Sequence, residues 1–274
     1  MRVRFTTLAL IGFSAACVAG TFAQTYPVPG QPQPRTTSVP ALREAARRRE
    51  VRERFRIGLD AEQRRDWNAA AAEFERIILL RPSEPQFSTA YYDLGIAYAN
   101  QNRLDDAARA FQSAIAGDPG FLAAMANLIS VDLQRHDLRD AKAVADRFLQ
   151  AAPDSARSLY SHGIVALQSG DAAAAQSDFG KLVQNDPQYA VAHYDFGLSQ
   201  VKLGRYPSAE HEFGLALELV PNYARARFAL GTVLLREGKR PEARAAFDRA
   251  MRDAAGDPAL QNLALSMRDA IHAP

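Results

Sequence analysis

The residues of this chain that could hold a metal or move a proton are few. His136, His162, His193, His211 and His272 are its only histidines, and Cys17 is its one cysteine. His162 and His193, joined by Asp195, form the one imaginable ligand set, since two imidazoles and a carboxylate that converge would bind a divalent ion. No zinc or di-iron spacing accompanies them. Both histidines stand where side chains pack between helices, so they are expected to be core residues, and no metal is expected. A glycine-rich phosphate loop after a strand is missing, as is a serine in a nucleophile elbow. The chain is therefore expected to be non-catalytic and to need no cofactor.

The elements that carry these residues are set by a recurring pattern. Gly197 is followed by Ala209, Phe213 and Pro221 at offsets of twelve, sixteen and twenty-four. The same offsets return in Gly58, Ala70, Phe74, Pro82; in Gly95, Ala107, Phe111, Pro119; in Gly163, Ala175, Phe179, Pro187; and in Gly231, Ala243, Phe247. A further copy carries Ile129, Ala141, Ala145 and Pro153. From Gly95 to Gly231 the spacing keeps to multiples of 34. Each residue type has a physical reason. Where two helices cross closely, a glycine lets the partner approach, and the alanine does so from the other side. The phenylalanine fills the space between neighbouring pairs. The proline stops the second helix, having no N–H and restricting the residue before it.

A helix-turn-helix period of this length resembles the tetratricopeptide repeat. The resemblance covers residues 51–257 as six units: 51–84, 88–121, 122–155, 156–189, 190–223 and 224–257. It implies an all-α, right-handed solenoid, because each pair is too small to bury its own apolar face and must stack on its neighbours. Residues 258–274, with Leu260, Leu263, Leu265, Met267 and Ile271, are expected to form a capping helix with a polar outer side. The third unit departs most. Ile129 replaces the glycine and Ala145 the aromatic; Phe148, three residues on, is expected to supply the missing ring, and the bulky crossing to bend the array. Pro85-Gln86-Phe87 adds three residues after the first unit and is expected to loosen that junction.

The resemblance also implies a binding groove lined by the first helix of each unit. The place three before the glycine holds Phe55, Tyr92, Ala126, Tyr160, Tyr194 and Phe228, an aromatic ladder that serves packing as readily as binding. One after it stand Leu59, Ile96, Ser130, Ile164, Leu198 and Thr232; four after it, Glu62, Ala99, Leu133, Leu167, Val201 and Leu235. Gln63, Asn100, Gln134, Gln168, Lys202 and Arg236 flank them. Family members often place polar residues in the middle rows, whereas here the groove is expected to be apolar with a polar and basic rim, the mark of a protein-interaction site. Its expected ligand is a peptide or an amphipathic helix with aliphatic anchors. A second copy or the chain's own terminal helix is the other candidate occupant. Truncating Tyr160 and Leu198 is expected to weaken binding and spare helicity. Phe55, Leu59 and Asp93 stand where relatives that grip chaperone tails carry lysine and asparagine, so that mode is excluded.

Ahead of the repeats, residues 1–23 carry Arg2 and Arg4, an apolar run and Thr21-Phe22-Ala23, the pattern of a secretory signal peptide. Cleavage after Ala23 removes Cys17; cleavage before it would leave an acylated cysteine, but Ser14-Ala15-Ala16 lacks the usual large aliphatic residue. A membrane role is thus expected only through an uncleaved signal or a lipidated Cys17. Residues 24–40, with five prolines, read as an extended spacer. Residues 41–50 open a basic helical segment whose Glu44–Arg48 and Glu50–Arg54 spacings suit pairing on a solvated helix. Of the 33 basic residues, two leave with the signal, and the remaining 31 balance the 31 acidic ones. Nucleic-acid binding is not expected. The whole reads as an exported scaffold, periplasmic or secreted. The alternatives are an outer-membrane lipoprotein resembling pilus secretin assembly factors, and a cell-wall glycan binder.

Overall fold

The computed structural model describes residues 38–81 and 86–271. The expectations for the signal peptide, Cys17, most of the spacer, Pro82, Pro85 and His272 lie outside the described residues. The chain divides into a short unit, residues 1–43, and a large one, residues 44–274. Residues 38–43 are the described part of the first. The large unit holds the repeats.

Among the described residues there are thirteen helices and no strand. The first helices of the units are α1 (Val39–Gln63), α3 (Gln86–Asn100), α5 (Leu122–Gln134), α7 (Ala156–Gln168), α9 (Ala190–Lys202) and α11 (Ala224–Arg236). Their partners are α2 (Trp67–Leu79), α4 (Leu104–Gly117), α6 (Leu138–Ala151), α8 (Ala172–Asn185), α10 (Tyr206–Leu219) and α12 (Arg240–Asp253), and α13 (Pro258–Ala270) follows. From α5 to α13 each first helix begins 34 residues after the last, at 122, 156, 190, 224 and 258. The large unit is an all-α solenoid of tetratricopeptide-type pairs.

Local chemistry sets the ends of these helices. Asp66, Asp137, Asp171 and Asp257 each accept a hydrogen bond from the backbone N–H three residues on, satisfying a donor the helix leaves open. Pro119, Pro153, Pro187 and Pro221 each stand two residues past the end of a second helix. Pro207 and Pro241 occupy the first turns of α10 and α12, where a missing N–H costs nothing. Between paired helices the chain passes once through the left-handed region. Gly170, Gly204 and Gly238 do so freely, while Arg65, Asn102 and His136 carry a side chain through the same turn.

The core is built on the glycine and the phenylalanine of each unit. A Cβ added to Gly58, Gly95, Gly163, Gly197 or Gly231 would lie 2.5–2.8 Å from the ring of Phe74, Phe111, Phe179, Phe213 or Phe247. All five rings are fully buried. The third unit reaches the same packing by exchange. Ile129 and Ala145 occupy the equivalent places, both buried in one cluster with Phe148, so this unit puts a large side chain on the first helix and keeps a buried ring on the second, three residues on.

Two expectations need revision. The basic segment is not a separate extension: α1 runs unbroken from Val39 through the first helix of the first unit, so its start also overlaps the residues read as spacer. Glu44–Arg48 and Glu50–Arg54 pair along it at 2.9 and 2.7 Å, and Arg54 reaches Glu73 of α2 at 3.0 Å. Second, α13 does not bury all its leucines. It is the first helix of a seventh unit with no second helix beside it among the described residues, and Leu263 and Leu265 remain 50% and 36% exposed. Leu265 stands where the glycine would be. Ala264, Met267 and Ile271 turn inward, the last two against the cluster of Phe247 and Leu234, and Leu260 is half-buried. His193 is buried and His162 nearly so, each with carboxylate partners described below. No described helix is long and apolar enough to cross a membrane.

Candidate protein-interaction site

Three clefts open along the first helices. One, of about 170 Å³, lies between α3 and α5 and is lined by Ile96, Ala99, Ser130 and Gln134 among others. A second, of about 340 Å³, lies between α5 and α7, with Leu133, Arg157, Tyr160 and Ile164. The third, of about 460 Å³, lies between α9 and α11 and is closed at one end by Leu260 of α13; Tyr194, Leu198, Val201, Arg225, Phe228 and Thr232 line it. Every lining residue except Phe111 comes from a first helix. Each cleft joins the rows one and four after the glycine of one unit to the facing side of the next.

The remaining candidates are placed less simply. Phe55 and Tyr92 are half-buried against Phe74 and Phe111, with ring centroids 6.1 and 5.9 Å apart. The ladder as a whole is a packing device as well as a lining. Tyr92, Tyr160 and Tyr194 each touch their own unit's phenylalanine and also Phe121, Tyr189 or Tyr223 at the entrance to the next unit, 4.8, 5.9 and 5.2 Å away. Leu167 and Leu235 are half-buried against the clusters of Phe179 and Phe247. Gln168 and Lys202 are exposed. Arg236 turns from the rim onto the ring of Tyr206, 5.7 Å from its centroid.

Carboxylates are buried beside this face. Burial, with the nearby Glu62 charge adding to it, pushes Asp93 up to about 7. Burial pushes Asp195 up to about 6, against the opposing effect of a hydrogen bond from the Tyr160 hydroxyl. Tyr160 therefore holds a buried acid, and truncating it damages the unit as well as the groove. That removes it as a clean probe of binding.

The histidines are partnered by carboxylates and do not converge. His162 Nδ1 lies 2.5 Å from Asp178 of α8 and its Nε2 3.0 Å from Asp146 of α6, which ties three helices together. The hydrogen bond to Asp178 above all raises its pKa. His193 Nδ1 meets Glu212 at 2.7 Å and Nε2 the Pro187 carbonyl at 3.1 Å. Asp195 takes part in neither. Among the described residues no group of three or more histidine, cysteine or acidic side chains is arranged to hold a metal.

One row escaped the sequence reading. Six before the glycine stand Arg52, Arg157 and Arg225; the last two each line a cleft and lie two repeat lengths apart.

Comparison with known proteins fits this geometry. Two family models described as tetratricopeptide repeat match residues 55–120 and 194–258, and residues 101–161. No curated protein matches the chain in sequence. Among solved structures, a tetratricopeptide repeat protein from Parabacteroides merdae superposes with a TM-score of 0.66 at 16% identity, over 82% of this chain and all of that one. The MamA protein aligns at 0.55 and 23% identity, over 61% of this chain and 92% of its own. YrrB, described as a tetratricopeptide protein with an unusual peptide-binding site, aligns at 0.58 and 20% identity, over 73% of this chain and all of its own. From these matches and the 34-residue register of its helices, the chain belongs to the tetratricopeptide-repeat family.

Proposed function

We propose that this protein is a non-catalytic scaffold that binds another protein along its first-helix face, receiving a peptide or an amphipathic helix through apolar anchors. The observation that carries this reading is the cleft between α9 and α11, whose walls are mainly Tyr194, Leu198, Val201, Phe228 and Val233. A cleft with that lining suits aliphatic or aromatic side chains better than a polar metabolite. Sugar stacking is less suited, because the ladder rings already spend a face on Phe121, Tyr189 and Tyr223. YrrB's described peptide-binding site supports a peptide ligand by analogy of fold.

The leader pattern of residues 1–23 supports export, with the scaffold working in the periplasm or outside the cell. The intact mass of the mature chain tests this. A start at Gln24 agrees with a soluble exported protein; an acylated Cys17 would move the reading to a lipid-anchored assembly factor.

The groove is tested with a photo-crosslinking side chain at Leu198 in living cells, against a control at Ala143 on the second-helix face. A discrete protein adduct from position 198 and none from 143 is the expected result. Equal labelling from both, or adducts only from 143, would move the site off the first helices.

A further inference from the structure

Arg157 and Arg225 give the first-helix face a chemistry beyond apolar anchoring. Each is the second residue of its helix, on α7 and α11, and each lines one of the two larger clefts. Neither has a carboxylate partner among the described residues. Arg157 donates from Nη2 to the neutral amide oxygen of Asn127 at 3.0 Å, and Arg225 has no hydrogen bond or ion pair. The contrast with Arg227, two residues on, is direct. Its guanidinium is closed by Asp253 and by the Pro221 carbonyl. Asp195 of α9 is buried and held by Tyr160.

An arginine left open at the edge of an apolar cleft offers a planar fork of donors suited to a carboxylate. Lys202, exposed on α9 between the two, has no ion pair either. Arg52 holds the same row in the first unit, exposed and without an ion pair, but lines none of the three clefts. Glu62 has a buried Oε1 without a hydrogen-bond partner, and Asp93 is buried near it.

Resting on the groove reading above, we propose that the partner segment is acidic: it places aspartate or glutamate side chains on Arg157 and Arg225 and aliphatic or aromatic anchors in the clefts they border.

A random dodecapeptide display library, with peptides fused at their C-termini so that no terminal carboxylate is offered, is selected on the purified mature chain. Parallel selections use Arg157→Glu/Arg225→Glu and, as a milder variant, Arg157→Gln/Arg225→Gln, both checked for unchanged helicity. A third uses Leu198→Asp. The expected result is wild-type enrichment of Asp or Glu beside Leu, Ile or Phe. A synthetic peptide of that type should bind the glutamine variant about tenfold more weakly, the summed scale of two exposed ion pairs. The glutamate variant should select basic residues instead. Apolar peptides with neutral or basic neighbours, selected alike by wild type and both arginine variants but lost with Leu198→Asp, would overturn the acidic partner and keep the groove. Enrichment that survives Leu198→Asp, or none at all, would overturn both.

Discussion

Gly197 and Phe213 meet so closely that a Cβ on the glycine would lie 2.5 Å from the ring's Cε1. In the third unit Ile129 and Ala145 stand in those two places, each buried. One unit puts its bulk on the second helix, the other on the first. Gly197→Ile alone should therefore overpack the crossing and cost about 1–3 kcal/mol, and Phe213→Ala alone should leave a cavity and cost about 3–5 kcal/mol. The double variant should lose less than the sum, with a coupling of at least about 1 kcal/mol. Strict additivity in denaturant unfolding would show that the two sites do not share one space.

His136 passes through a left-handed turn at φ 60, where its counterparts Gly170, Gly204 and Gly238 carry no side chain. His136→Gly relieves that conformation against a higher unfolded-state entropy. The net expected gain is about 0.5–1 kcal/mol by thermal unfolding. A loss of stability would mean that the imidazole makes contacts worth more than the turn.

Stability should fall as pH rises toward and past neutrality. The folded pKa of His162 is raised, chiefly by Asp178, so its contribution is complete below its ordinary value near 6.5 and is lost as pH climbs through the raised one. Asp93 acts in the same direction for a different reason. Burial lifts it from 3.8 to about 7, so the folded state holds a proton that the unfolded state releases between those values, and deprotonation of the folded form is resisted. Melting temperatures of the wild type between pH 5 and 8 should decline, and Asp93→Asn should flatten the part between pH 5 and 7. An unchanged slope in that variant would assign the decline elsewhere.

Tyr160→Phe should destabilise the chain although the ring is kept, because it leaves the buried Asp195 carboxylate without its donor. The cost should be about 1–3 kcal/mol at pH 8. It should shrink near pH 5, where Asp195, pushed up to about 6, is mostly protonated. A pH-independent cost would remove Asp195 from the explanation.

Much of this fold was legible because few residue types satisfy its tightest contacts. The glycine facing Phe213, the proline after five of the six second helices and the alanines at the crossings admit little substitution, so they surface at fixed offsets in the sequence. The Ile129–Ala145 exchange was half visible. The two departures from pattern could be seen, but their burial in one cluster with Phe148 belongs to three dimensions. Partners of the histidines were hidden for the same reason, since Asp178 and Glu212 lie sixteen and nineteen residues away on other helices. Apolar spacing in α13 marked a helix correctly yet could not say which leucines would be covered, because that depends on a neighbouring helix. The groove rows were legible up to the row of Arg157 and Arg225, whose spacing of two repeats was present but unread.

The exchange of bulk between Ile129 and Phe213-type positions also limits how such a gene can be reshuffled. A crossover falling between the two helices of the third unit and those of a neighbour would join a glycine to an alanine, leaving a void, or an isoleucine to a phenylalanine, forcing a clash. Crossovers between whole units carry each matched pair intact. The smallest piece of this chain that can be duplicated, deleted or traded without repacking is thus the complete helix pair, and a lineage of such arrays should vary in unit number far more readily than in the pairing inside any unit.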